Sequence, residues 1–305
     1  MASESELIAA LTAVFKLSDA NVRESVLIGI GDDGAVIAPS LNKLVLAADM
    51  AVEGVHFNRK WSTLREIGAK ITAANLADIY AMGGEPKYLL VSAGLTADFG
   101  ITEITELAMG IADGAALVGA SVVGGDISRA DQLVISISVF GEVENPITRS
   151  GAKVGDSVII SGLPGKSAAG LIQLQSGITE SSFVSAHKKP IVNYKLAKKF
   201  QGVNAMCDVS DGLLSELNHI ANASGVGIEL ESKLIAETPG FKDLEVATKG
   251  DIWEFVLSGG EDHIFVATTS SDIPEGAHVI GKVVSGTGVK VSGISKLPAI
   301  GFRHF

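Results

Sequence analysis

Five stretches of the chain share one design, in which a run of apolar residues arrives at a turn of small residues that carries acid. They are Ile28–Asp33 (IGIGDD), Leu44–Asp49 (LVLAAD), Val122–Asp126 (VVGGD), Met206–Asp211 (MCDVSD) and Val256–Asp262 (VLSGGED). A short apolar run bounded by turn residues reads as a buried strand. Turns at strand ends, held on a rigid scaffold, are where binding and catalytic groups are usually mounted. The pattern therefore calls for a sheet-based fold in which several acid-bearing ends converge. Two unpaired charges about 4 Å apart repel by about 4 kcal/mol at an effective dielectric near 20, so such a cluster needs protons, basic partners or metal ions. Hard divalent cations suit it, because Mg²⁺ takes one or two carboxylates and completes its shell with substrate phosphate oxygens and water.

Composition supports this reading. A chain of 305 residues favours two domains of ordinary size. With 47% hydrophobic residues, 35 glycines and only 5% aromatic residues, it suits an α/β (α+β mixed) protein with many tight strand-to-helix turns. The net charge of −11 argues against nonspecific nucleic acid or an anionic membrane surface as partner. Cys207 is the single cysteine, so no intrachain disulfide forms, and the N-terminal MASESELIAAL lacks the basic segment and apolar core of a signal peptide. No apolar run reaches the roughly 18 residues needed to span a bilayer. The expected location is cytoplasmic.

Apolar periodicity predicts helices over residues 4–17, 64–82, 103–118, 167–175, 192–200 and 212–224, the last with Gly225 as C-cap. Strands are predicted at 44–48, 89–95, 121–125, 133–141, 158–161 and 205–207, with late ones at 256–257, 263–267 and 279–284; residues 176–185 read as a polar connection. The mixture of Pro, Gly and charge in Glu142–Gly155 predicts a boundary between a domain of residues 1–145 and one of 146–305.

Gly29–Gly34 matches G-x-G-x-x-G, but two aspartates occupy the loop and a strand-like Ala35-Val36-Ile37 follows where a dinucleotide site needs a helix. Gly162–Ser167 (GLPGKS) ends like a P-loop, yet the first glycine of that motif falls on Ile160. Lys166 remains either part of a strand-to-helix connector or a phosphate contact. In Asp208–Leu213 (DVSDGL), one acid could cap a helix, but two acids and a hydroxyl in four residues suit metal and phosphate binding better. Asn75 and Asp78 lie three apart on one predicted helix face. His56 is a lone histidine seven residues after Asp49, and such histidines are usually structural; the others lack zinc-ligand spacing. No Ser or Cys pairs with His and acid, whereas phosphoryl transfer needs positioning and charge neutralisation rather than covalent help.

Several motifs in order carry a resemblance. They are IGDDGAV, the stretch from Asp49 to Phe57 (DMAVEGVHF), Asn75–Pro86 (NLADIYAMGGEP), VVGGD, RSGAKVGD, DVSDGL, GGED and the terminal GFRHF. On these the chain resembles, nearly end to end, the thiamine-monophosphate kinases. Their superfamily also holds aminoimidazole ribonucleotide synthetase, selenophosphate synthetase and a hydrogenase maturation dehydratase. The resemblance implies a homodimeric two-domain fold: N-terminal strands building a shared β-barrel, with ATP and metal bound in that domain, and a C-terminal α/β domain. It implies ATP-dependent phosphorylation of thiamine monophosphate by in-line transfer with several Mg²⁺ ions, with Asp78, Asp126 and Asp211 central to catalysis. Asp33, Asp49, Asp78, Asp126, Asp208 and Asp211 match metal ligands. Gly125, Asp126, Arg149 and Ser210 match nucleotide contacts, and His56, Glu261, Asp262 and Phe302 match positions at the thiamine end. Ala47 and Ala48 stand where the family usually has a hydroxyl pair, leaving main-chain carbonyls to coordinate. The rivals are another enzyme of the superfamily, or a noncatalytic relative that keeps the nucleotide site.

Overall fold

A computed structural model describes residues 3–18, 24–31, 34–249, 251–294 and 297–298. The chain divides into two compact units, one of Met1–Ile79 with Gly84–Glu144, the other of Tyr80–Gly83 with Asn145–Phe305.

The first unit runs α1 (Glu4–Ser18), β1 (Val26–Ile28), β2 (Val36–Ile37), β3 (Lys43–Val52), α2 (Leu64–Ala81), β4 (Glu85–Leu95), α3 (Ile101–Ala116), β5 (Ser121–Arg129) and β6 (Val134–Val143). Helix α2 starts where Thr63 and Glu66 form a reciprocal capping box, the Glu66 carboxylate accepting from the Thr63 N–H at 2.7 Å and the Thr63 hydroxyl accepting from the Glu66 N–H at 3.2 Å. Among the described residues, β3, β6, β4 and β5 form a four-stranded sheet in that order, antiparallel except for β4 beside β5. Alternation along β6 sends Ile135, Ile137 and Val139 into the core, fully buried with Ile67, Leu76 and Ile79 of α2 and Leu107 and Ile111 of α3. Helices α2 and α3 cross backbone to backbone: a Cβ at Gly110 would collide with the Arg65 carbonyl, and one at Gly68 with that of Leu107. On the opposite face, Leu44, Leu46 and Met50 of edge strand β3 are 59–65% exposed.

The second unit continues with β7 (Ser157–Ile160), α4 (Lys166–Gln175), α5 (Ser182–Lys188), α6 (Tyr194–Lys199), β8 (Ala205–Asp208), α7 (Leu213–Ser224), β9 (Gly227–Glu231), α8 (Ser232–Ala236), α9 (Phe241–Ala247), α10 (Ile252–Ser258), β10 (Phe265–Thr269), β11 (His278–Val284) and β12 (Gly288–Ser292). Its six-stranded sheet has the order β12-β9-β11-β7-β10-β8 and is antiparallel except for β12 beside β9. Val158, Ile160 and Val266 from the sheet pack with Leu213, Leu217 and Ile220 of α7 and Val256 and Leu257 of α10.

Three expectations change. Val256–Leu257 is not a strand but the end of α10, because that short apolar run packs as one face of a helix turn. Part of the supposed connection at 176–185 is α5, begun by the Ser181 hydroxyl accepting from the Val184 N–H. Asp49 and Asp126 lie within long strands rather than at their ends, since β3 runs on to Val52 and β5 to Arg129.

Candidate active site

In the first unit, Asp49 and Asp126 are exposed on β3 and β5, Asp78 is half-buried on α2, and Asp126 stands at a cavity. Gly125 and Asp126 are exposed positions of β5, paired with Val91 and Ser92 of β4. They line a cavity of about 1140 Å³ together with Gly29, Ile30, Gly31 and Gly34, so the first and third acid-bearing turns are brought to the same space. Its remaining wall is mostly apolar, from Leu11 and Phe15 of α1, Leu90 of β4 and Leu107 of α3. Asp33 falls outside the described residues, as does Phe302.

Asp49 is tied to α2, the buried Asn75 amide oxygen accepting its main-chain N–H at 3.0 Å while the amide nitrogen donates to the Ile71 carbonyl. Both ends of that side chain are thus committed, and Asp78 follows one turn further along the same helix face. Ala47 and Ala48 pair with Val139 and Ser138 in the sheet. His56 closes the turn after β3: its Nδ1 accepts the Val52 N–H at 3.0 Å, and Lys70 Nζ donates to its carbonyl. One ring nitrogen of His56 therefore serves the turn.

In the second unit, three motifs are knitted by backbone. The turn after β8 pairs with the segment before β10: Val209 N–H donates to Ile264 O, His263 N–H to Val209 O, and Glu261 N–H to Ser210 O. Gly212 at φ +109° turns the chain into α7 directly against the Ser258 carbonyl, where a side chain would clash. This sets Asp208, Ser210, Asp211 and Glu261 around one turn. Asp208 is 4% exposed and its Oδ2 lies 3.1 Å from His263 Nδ1.

Asp262 is held inside the second unit. It points inward, buried, and its carboxylate accepts from the main-chain N–H groups of Gly165 (2.6 Å) and Ser167 (2.9 Å) at the start of α4. Those donors are orphans of the helix N-terminus, and the carboxylate satisfies them from across the fold. Burial pushes its pKa up to about 6 against the pull of both hydrogen bonds. The side chain is thus engaged by the GLPGKS turn, while the neighbouring Glu261 is partly exposed. Glu261 Oε2 lies 3.6 Å from His187 Nδ1, itself 3.0 Å from the Ser167 hydroxyl.

Glu216, on the first turn of α7, escaped the sequence reading. Only 2% exposed, it lies 3.6 Å from the Arg149 guanidinium, and burial, with Asp208 adding repulsion, pushes its pKa up to about 7. An acid on the first turn of a helix is ordinary in sequence, so no local signal marked its burial. Cys207 is a buried small side chain as expected, its thiol pushed up by burial.

Among the described residues, no three His, Cys, Asp or Glu side chains stand together as a group able to hold a metal ion. Nor, among them, is any helix long and apolar enough to cross a membrane.

Comparison with known proteins completes the picture. Residues 31–143 match the N-terminal domain of the AIR synthase related proteins and residues 153–294 their C-terminal domain. A thiamine-monophosphate kinase of Mycobacterium tuberculosis is 37% identical over 270 residues, covering 86% of this chain and 80% of its own. A crystal structure of thiamine-monophosphate kinase from Stenotrophomonas maltophilia K279a superposes with a TM-score of 0.82 at 28% identity, over 96% of this chain and 98% of that one. AaThiL complexed with AMPPCP and TMP gives a TM-score of 0.79 at 32% identity, over 100% and 99% of the two chains. The chain belongs to the thiamine-monophosphate kinase family of the AIR synthase related proteins.

Proposed function

We infer that this protein transfers the terminal phosphoryl group of ATP to the phosphate of thiamine monophosphate, giving thiamine diphosphate and ADP. One observation carries the reading: along its full length the chain matches the fold of a relative complexed with AMPPCP and TMP, at 32% identity. The first unit supports the nucleotide half, with a cavity whose apolar wall suits a base and whose rim bears Gly125 and Asp126. The second unit supports the phosphate half, with Arg149 and Ser210 beside the turn that carries Asp208 and Asp211.

The donor set fits Mg²⁺, because it is all oxygen: carboxylates of Asp33, Asp49, Asp78, Asp126, Asp208 and Asp211, with the Ala47 and Ala48 carbonyls. No three of the described acids make a closed cage, and Mg²⁺ does not need one when substrate phosphates and water complete its shell. Held by such carboxylates, Mg²⁺ would neutralise phosphate charge. The protein's own work is positioning. The Asn75 bond to the Asp49 N–H fixes β3 against α2, and the DVSD turn is braced by its bonds to residues 261–264. A phosphate oxygen of thiamine monophosphate attacks the γ-phosphorus in line, that P–O bond forming as the bond to the β-bridging oxygen breaks and ADP leaves. Asp78, Asp126 and Asp211 have the central catalytic roles, and His56, Glu261 or Asp262, and Phe302 attend the thiamine end.

The same reading makes the protein a cytoplasmic homodimer, with residues 1–145 as nucleotide-binding and dimerisation domain and 146–305 as C-terminal α/β domain. Edge strand β3, ten residues long and carrying exposed Leu44, Leu46 and Met50, supports a second copy as the occupant of that sheet face. Sedimentation would give a dimer, and Leu46→Lys with Met50→Lys would shift it to monomer.

The test is turnover with ATP, Mg²⁺ and thiamine monophosphate. Equal amounts of ADP and thiamine diphosphate support the reading. ATP binding without product from this acceptor would support the noncatalytic or other-substrate rivals.

A further inference from the structure

A carboxylate is seldom buried without full hydrogen bonding. Glu216 is 2% exposed, and its Oε2 has no hydrogen-bond partner. Two groups face it. The Arg149 guanidinium stands 3.6 Å from that oxygen, too far for a hydrogen bond but within ion-pair range, and the Asp211 main chain hydrogen-bonds the carboxylate. Arg149 itself is half exposed, so one side of the pair reaches solvent while the other is sealed.

Helix α7 also holds Arg149 by its backbone. At the far end of the helix, the Ser224 hydroxyl donates to the Arg149 carbonyl at 3.0 Å and accepts from the N–H groups of Gly151 and Ala152. One helix therefore grips the Arg149 segment at its main chain and its side chain, and begins at the turn bearing Ser210 and Asp211. A salt bridge meant only for stability would be poorly built this way. An incompletely bonded buried carboxylate is expensive, and an apolar residue of similar size would serve stability as well.

We propose that Glu216 is a positioning residue, whose carboxylate aims the Arg149 guanidinium and ties it to the main chain of the DVSD turn, so that cation and acids present one phosphate-binding frame. The proposal rests on the reading of Arg149 as a nucleotide contact. Without Glu216, Arg149 keeps its charge, its backbone anchor and its contact with Cys207 but loses the carboxylate that aims it, and more of its ordering falls to the ligand.

Four proteins test this: parent, Arg149→Ala, Glu216→Gln and the double variant. AMPPCP affinity is measured by calorimetry with Mg²⁺ present, alongside KM for each substrate, kcat and melting temperature. Gln keeps the size of Glu and can still accept from the Asp211 N–H, so the fold is expected to hold. The expected result for Glu216→Gln is about tenfold weaker AMPPCP binding and a matching rise in KM for ATP, with KM for thiamine monophosphate and melting temperature near parental. Arg149→Ala is expected to lose at least as much, and the double variant no more than Arg149→Ala alone, because both changes remove one interaction. Parental affinity in Glu216→Gln beside weak binding in Arg149→Ala would overturn the proposal, as would fully additive losses. Parental affinity in Arg149→Ala would instead remove the nucleotide reading of Arg149, and the proposal with it.

Discussion

The two units hold their acids in opposite ways. In the first, Asp49 and Asp126 stand on exposed strand positions, with Asp49 braced through its backbone. In the second, Asp208, Glu216 and Asp262 are buried, and each faces a specific group: His263, Arg149 and the N-terminus of α4. A carboxylate left open to solvent stays ionised without assistance and is ready for a cation. A buried one must be partnered from within, as Glu216 and Asp262 are by Arg149 and the N-terminus of α4. The difference separates acids that stand open to solvent from acids that a partner holds inside the fold.

The largest effects are expected at Asp78 and Asp211, half-buried acids to which the proposed function gives central catalytic roles. Asp78→Asn or Asp211→Asn should lower kcat about a hundredfold or more with an unchanged circular dichroism spectrum. A variant with parental turnover and parental Mg²⁺ dependence would erase the proposed role of that residue.

Next come positions held inside the fold, which should show in stability before rate. Gly110→Ala drives a Cβ into the Arg65 carbonyl where α2 and α3 cross, and should lower unfolding free energy by about 3 kcal/mol in urea titration. Asp262→Ala leaves two helix N–H groups without their acceptor and should cost about 2 kcal/mol in the second unit.

Asp262 also sets a pH dependence. Its folded pKa, about 6, is raised from 3.8, so the folded state holds that proton more tightly than the unfolded one. The resulting stabilisation is full below about pH 4 and is lost as pH rises through 6, a change of about 3 kcal/mol. Asp262→Asn should remove this component, so that the difference between variant and parent unfolding free energy shifts by that amount from pH 4 to pH 7.

How much of this was legible in sequence follows from how local each signal is. Asp208, Ser210 and Asp211 stood out because two acids and a hydroxyl fall within four residues, and the structure sets them on a single turn. The GGED segment was noticed for its acids, but which of Glu261 and Asp262 turns inward depends on the α4 N-terminus nearly a hundred residues away. Val256–Leu257 was misread because two apolar residues cannot distinguish a strand from a helix turn; the packing of α10 decided it. Strand β9 was missed although Gly227–Glu231 alternates apolar and acidic residues, being too short to stand out beside α7. Glu216 could not be found at all, because its burial and its approach to Arg149, 67 positions earlier, arise only in the folded chain.

The smallest effect is expected at the departure in β3. Restoring hydroxyls with Ala47→Thr and Ala48→Thr should lower the Mg²⁺ concentration for half-maximal rate by about two- to fivefold, through added oxygen or water-mediated ligation. No change would mean that main-chain carbonyls already suffice.

The most direct test is the stoichiometry of products when purified protein is given ATP, Mg²⁺ and thiamine monophosphate. The account predicts one thiamine diphosphate for each ADP, with no free phosphate. ADP and inorganic phosphate without thiamine diphosphate, or no turnover by a folded protein that binds ATP, would contradict it.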